Sequence, residues 1–248
     1  IQSSDSVISL GTSGVYFSPT NTYVTNTTDA VHSFCHCVPN TWHHMSVMLS
    51  ATNCLDWVST MFKLNIKQSM KKVKNFSTKK FNVNSSPYFL PYLTGERTPY
   101  NNAYLRGSFH LLDTSTDQDA LLYSVIEGIS FGIRDGFEAV HSVSHKSKNI
   151  FLVGGGSKDS FWGNMISSLL KQSILIGEDS NLGPALGAAR LAMLCTGNYK
   201  TQEVIKRMKI IQECSIDKDL SDKLETRYKV WKEIVINNES IAKKIMEN

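Results

Sequence analysis

The stretch Ile150-Phe151-Leu152-Val153-Gly154-Gly155-Gly156-Ser157 joins a short, wholly apolar run to a glycine turn, and residues 161–170 behind it carry a helical pattern. Four apolar residues bounded by a turn suit a buried strand. The glycines let the backbone bend sharply and leave N–H groups open to an anion. The helix start behind the turn adds unsatisfied N–H donors and a partial positive charge. A second such unit stands near the N-terminus, Val7-Ile8-Ser9-Leu10-Gly11-Thr12-Ser13-Gly14. Either turn alone also reads as an ordinary corner, because Gly, Ser and Thr tolerate turn angles. Two of them, each at a strand end, suggest a nucleotide held between two loops.

Working outward, residues 6–18 read as a β-hairpin, and residues 32–38 and 42–47 as two further strands. Residues 50–62 turn helical, with Leu55, Val58 and Phe62 on one face. The Lys/Asn/Ser-rich residues 65–86 read as a helix remnant and a surface loop, and residues 87–99 as a loop with Tyr88, Phe89 and Tyr92 buried. A long helix starts at Asp117. Its Gly128, Gly132 and Gly136 recur every four residues, which permits close packing at some cost in helix propensity. Strand 149–153, helix 161–170, strand 173–176 and helix 183–194 then alternate. The tail, residues 220–248, is an amphipathic helix carrying Leu224, Tyr228, Trp231, Ile234 and Val235. The expectation is one α/β domain over residues 1–248, opened by a β-meander and closed by a helical tail.

Composition agrees with a globular chain: 248 residues, 41% hydrophobic and 19% charged. The chain starts at Ile1, which reads as a fragment or processed product of a longer protein. No apolar run approaches the roughly 20 residues needed to cross a bilayer. Five cysteines, an odd number without a disulfide pattern, suit a reducing, cytoplasmic setting. The net charge of +4 is concentrated where Lys71, Lys72, Lys74, Lys79 and Lys80 cluster, which reads as a solvated surface rather than a nucleic-acid patch. His32, Cys35, His36, Cys37, His43 and His44 lack the spacing of a zinc site and read as buried strand thiols with satisfied histidines, so no protein metal ligand is expected.

Several motifs in one order resemble the C-terminal domain of the FGGY carbohydrate kinases. They are Ala30-Val31-His32-Ser33-Phe34-Cys35-His36 through Cys54-Leu55-Asp56-Trp57, Gly95-Glu96-Arg97-Thr98-Pro99, the turn Val153 to Gly156, and Gly183-Pro184-Ala185-Leu186-Gly187-Ala188-Ala189-Arg190. The resemblance implies an actin-like (ribonuclease-H-like) ATPase domain, with a mixed sheet and flanking helices. Residues 30–57 are similar to members acting on D-xylulose, which implies D-xylulose and ATP giving D-xylulose 5-phosphate and ADP. It further implies that Gly11, Thr12, Ser13 and Gly14 touch the β/γ-phosphates. Gly155, Gly156 and the nearby Ser160 would meet the α-phosphate and adenosine, and Thr52 and Asp56 would approach the nucleotide. Glu96 and Arg97 read as a loop ion pair or as lining of an interdomain cleft. The catalytic base of the family would precede Ile1, so no catalytic residue is expected here, and the isolated chain is expected to be inactive. Mg²⁺ would arrive with ATP. Expected partners are ATP or ADP, the sugar through a preceding domain, and, as an option, a second copy in a homodimer, with neither nucleic acid nor membrane. The chain departs from the family at Leu111, where a glycine is expected, and at Lys158, Asp159 and Ser160, where Asn or Gln is frequent. Another sugar or polyol as substrate, or a non-catalytic nucleotide-binding module, are the competing readings.

Overall fold

Apolar residues alternate along β1 (Asp5–Leu10) and β2 (Gly14–Thr20), burying Ile8, Leu10 and Tyr16 on one face of an antiparallel hairpin. The computed structural model describes residues 5–78, 86–144, 147–206 and 208–246, with Lys79 and Lys80 of the lysine cluster lying outside them. Along the chain follow β3 (His32–Cys35), β4 (Trp42–Met48), α1 (Thr52–Met61), α2 (Ile66–Thr78), β5 (Tyr88–Leu90), β6 (Ser108–His110), α3 (Gln118–His141), β7 (Asn149–Val153), α4 (Ser160–Leu170), β8 (Ile174–Gly177), α5 (Pro184–Cys195), α6 (Thr201–Val204), β9 (Ile210–Cys214) and α7 (Lys218–Met246). Seven strands form one mixed sheet in the order β3-β4-β2-β1-β7-β8-β9. β1, β7 and β8 run parallel, and the other pairings are antiparallel.

The long helix α3 crosses the sheet as its glycine row requires. Asp117 caps it by accepting from Ala120 N–H at 2.8 Å. A Cβ at Gly128 would stand 2.3 Å from Phe89 O, and one at Gly136 2.3 Å from Ser46 Oγ. The amphipathic helix expected at the C-terminus is α7, and its apolar face is part of the core. Leu224, Trp231 and Val235 of α7 are fully buried, and Trp231 Nε1 donates to Phe89 O at 2.8 Å. Arg227 of α7 forms a buried ion pair with Glu127 of α3 at 2.6 Å and donates to Ser86 O and Pro87 O. Asp135, also on α3, accepts from Tyr100, Tyr228 and Lys232.

Other expectations need correction. The helix remnant is a full helix, α2, with Met70 and Val73 buried. The loop at residues 87–99 contains a strand, β5, paired with β6, and β9 adds a sheet edge not foreseen. Cys35 and Cys37 are exposed on the edge strand and the turn behind it, not buried. His44 is buried against Val24 O and Ser144, and His43 stacks on Phe17. α5 carries no buried residue.

Candidate functional site

β1 and β7 are adjacent and parallel, with Ile8 beside Leu152 and Ser9 beside Val153, so both glycine turns leave the same edge of the sheet. Gly154 has φ +90°, and a Cβ there would lie 2.5 Å from Leu10 O, so glycine alone fits. The two glycines after it differ. Gly156 is buried, and a Cβ would press on Leu10 Cβ at 2.7 Å, whereas Gly155 is exposed and its Cβ would meet nothing within 4 Å. The bare backbone at Gly156 therefore serves packing as well, and Gly155 is the open position of the turn.

α1 is tied to the first turn. Ala51 N–H donates to Thr12 O at 2.9 Å and Thr52 N–H to Gly11 O at 3.0 Å. Ala51, the N-cap, has no side-chain acceptor, so the turn supplies carbonyls in its place. The Thr52 hydroxyl also donates to Gly11 O, at 2.8 Å. Its proton is thus committed to positioning the turn, and only its lone pairs remain for a ligand.

A cleft of about 890 Å³ opens between α1, α2 and the 3₁₀ turn Gly155–Lys158, within the usual range for small-molecule sites. Thr52, Asp56, Gly155 and Gly156 line it, over an apolar floor that includes Leu55, Met70 and Trp162. Trp162 is fixed by donating Nε1–H to Ser130 Oγ at 3.0 Å. The lysines expected to be merely solvated supply one wall, with Lys67, Lys71 and Lys74 on α2 opposite Lys158 and Asp159. Lys74 bridges to Asp159 at 2.9 Å, while Asp159 caps α4 by accepting from Phe161 N–H at 3.0 Å. The regular spacing of Lys67, Lys71 and Lys74 is the one signal that could have shown a common helix face.

The remaining expected residues stand outside this cleft. Gly11, Thr12 and Ser13 adjoin it through Thr52, while Gly14 is buried, with an added Cβ 2.9 Å from Ile133 Cδ1. Ser160 is the first residue of α4 and does not line the space. Glu96 and Arg97 do not line it and form no ion pair with each other. The Glu96 carboxylate accepts from Leu49 N–H at 2.9 Å and Arg97 N–H at 2.7 Å, while the Arg97 guanidinium turns to Asn101 at 2.9 Å. Burial pushes the Glu96 carboxyl up to about 8, against the pull of those two N–H donors.

The mixed sheet with flanking helices, with two glycine turns at the ends of adjacent parallel strands, is that of an actin-like ATPase domain. The chain belongs to the FGGY family of carbohydrate kinases, whose C-terminal domain it matches over residues 6–195. It is 37% identical over 202 residues to the xylulose kinase of Escherichia coli (strain K12), covering 81% of this chain and 41% of the relative. The xylulose kinase of Klebsiella pneumoniae is 38% identical over 187 residues, or 75% of this chain and 38% of its own. A xyloylose kinase from Brucella ovis superposes with a TM-score of 0.87 at 32% identity, over 97% of this chain and 49% of the other. The chain thus spans about two fifths of the length of these curated relatives.

Proposed function

We propose that this chain is the nucleotide-binding part of an ATP-dependent sugar kinase that converts D-xylulose and ATP to D-xylulose 5-phosphate and ADP. The observation that carries the reading is the convergence of both glycine turns on one sheet edge, beside the cleft lined by Thr52, Asp56 and Gly155. The similarity to the xylulose kinases of Escherichia coli and Klebsiella pneumoniae supports the choice of sugar.

In this reading the apolar floor of Leu55, Met70 and Trp162 receives the adenosine, and Gly155 lets the α-phosphate approach the backbone. The tip residues Thr12 and Ser13, exposed beside the cleft, hold the terminal phosphates. Phosphoryl transfer depends mainly on positioning and charge stabilisation, which a rigid pair of turns can supply. The acceptor sugar and the base that removes its hydroxyl proton are assigned to a domain outside this chain.

Among the described residues no group of three or more His, Cys, Asp or Glu is arranged to hold a metal. Of the two carboxylates lining the cleft, Asp159 is engaged by Lys74. That donor set does not form a protein cage for Mg²⁺, and in this reading the ion would arrive chelated by the nucleotide. Among the described residues no helix is long and apolar enough to cross a membrane.

The test is ADP release by the longer protein carrying this chain, with and without D-xylulose. Sugar-dependent release is expected, and it should fall sharply in Gly155→Val. Release stimulated by another sugar or polyol but not by D-xylulose would redirect the substrate, and release independent of any sugar would overturn the kinase reading.

A further inference from the structure

The α2 wall carries more positive charge than its surroundings balance. Four lysines line the cleft (Lys67, Lys71, Lys74 and Lys158) against two carboxylates, Asp56 and Asp159. Asp159 is already shared between Lys74 and the first turn of α4. Away from the cleft, Lys72 of the same helix has its own carboxylate, Asp119, at 2.8 Å. Among the described residues Lys67 and Lys71 have none, although they sit on the same helix. Charge on α2 is therefore matched at Lys72 and Lys74 and left over at Lys67 and Lys71, which also line the cleft.

We propose that Lys67 and Lys71 are affinity residues for the anionic part of the nucleotide, with the Lys74–Asp159 bridge bracing the two walls. The proposal rests on the nucleotide reading of the cleft. Lysine ammonium groups on flexible stems act as hydrated point charges rather than as geometric forks. Their effect on a phosphate reaches through solvent and is screened by salt. Both favour capture and retention of a charged ligand, without contributing to recognition of the base.

The experiment titrates ADP and adenosine separately into three forms of the chain, at about 20 mM and about 300 mM salt, to span weak and strong screening. The forms are the wild type, K67Q/K71Q, and the charge-matched control K223Q/K229Q, whose lysines are exposed on α7. In K67Q/K71Q, ADP affinity should fall about five- to tenfold at low salt and much less at high salt. Adenosine affinity should stay unchanged, and the control should match the wild type. If K67Q/K71Q binds ADP like the wild type at low salt, or loses adenosine equally, the role assigned to these lysines is overturned while the nucleotide site stands. A wild type that binds neither ligand overturns the underlying reading as well.

Discussion

At the scale of single residues, Gly154 and Gly155 separate two demands that adjacent glycines usually blur. Gly154 is required by the backbone, with φ +90° and a carbonyl 2.5 Å from any added Cβ, whereas a Cβ at Gly155 would meet nothing within 4 Å. Gly154→Ala should therefore lower stability by about 1–3 kcal/mol or more through strain, as read by urea denaturation. Gly155→Val should leave the unfolding midpoint near wild type and weaken ADP at least tenfold in calorimetry. Equal stability losses in the two variants would contradict this division. Glu96 makes a second prediction. Its carboxyl binds a proton more tightly in the folded chain, at about 8, than at its ordinary value of 4.5. The resulting advantage is fully present below the lower value and is lost as pH rises toward the upper one. Each tenfold difference in proton affinity corresponds to about 1.4 kcal/mol. Glu96→Gln keeps an acceptor for Leu49 and Arg97 N–H and removes the titration. Its stability relative to wild type should rise between pH 5 and pH 9, and a gap independent of pH would show that burial of this carboxyl is not what sets its proton affinity.

At the scale of elements, α7 is held to α3 by its buried face and by ion pairs, of which Arg227–Glu127 is the fully buried one. Arg227→Ala would strand Glu127, which is 1% exposed, and should cost about 3–5 kcal/mol. The double variant E127L/R227M removes both charges and should recover much of that loss. A double variant as unstable as Arg227→Ala would mean that the bonds from Arg227 to Ser86 O and Pro87 O matter more than the charge. Elements like this one also mark what a sequence discloses. The units ending in Gly11 and Gly154 are legible because strand and turn are neighbours in the chain, followed at once by a second strand in the first unit and by a helix in the second. The row Gly128, Gly132 and Gly136 is legible for the same local reason. The burial of Arg227 is not, because it depends on Glu127, a hundred residues away, and a charged residue on an amphipathic helix is ordinarily solvated. Lys67, Lys71 and Lys74 declare a helix face but not whether it looks at water or at Trp162. The five residues of β9 are largely exposed, so they lack the apolar contrast that announces a buried strand.

At the scale of the whole molecule, the nucleotide reading has a thermodynamic consequence, because a ligand that binds only the folded chain stabilises it. At a hundredfold excess over Kd the gain is about 2.7 kcal/mol, which for a domain of this size raises Tm by about 5–10 °C. ADP should produce that shift in the isolated chain, and D-xylulose alone should not, since no sugar contact is assigned to these residues. A shift with the sugar and none with ADP would reverse the roles proposed for the cleft.

The centre of the sheet joins Asp5–Leu10 to Asn149–Val153, strands at nearly opposite ends of the first two thirds of the chain. During synthesis, the first glycine turn and its hairpin emerge long before the partner strand exists. β1 must therefore wait with one edge unpaired while α1 to α3 are made. Closing so long a loop is entropically slow, and an open strand edge invites pairing with other chains. Completion of the nucleotide cleft should accordingly be a late event in folding, and the nascent chain should be most prone to aggregate, and most in need of a chaperone, just before residue 149 leaves the ribosome.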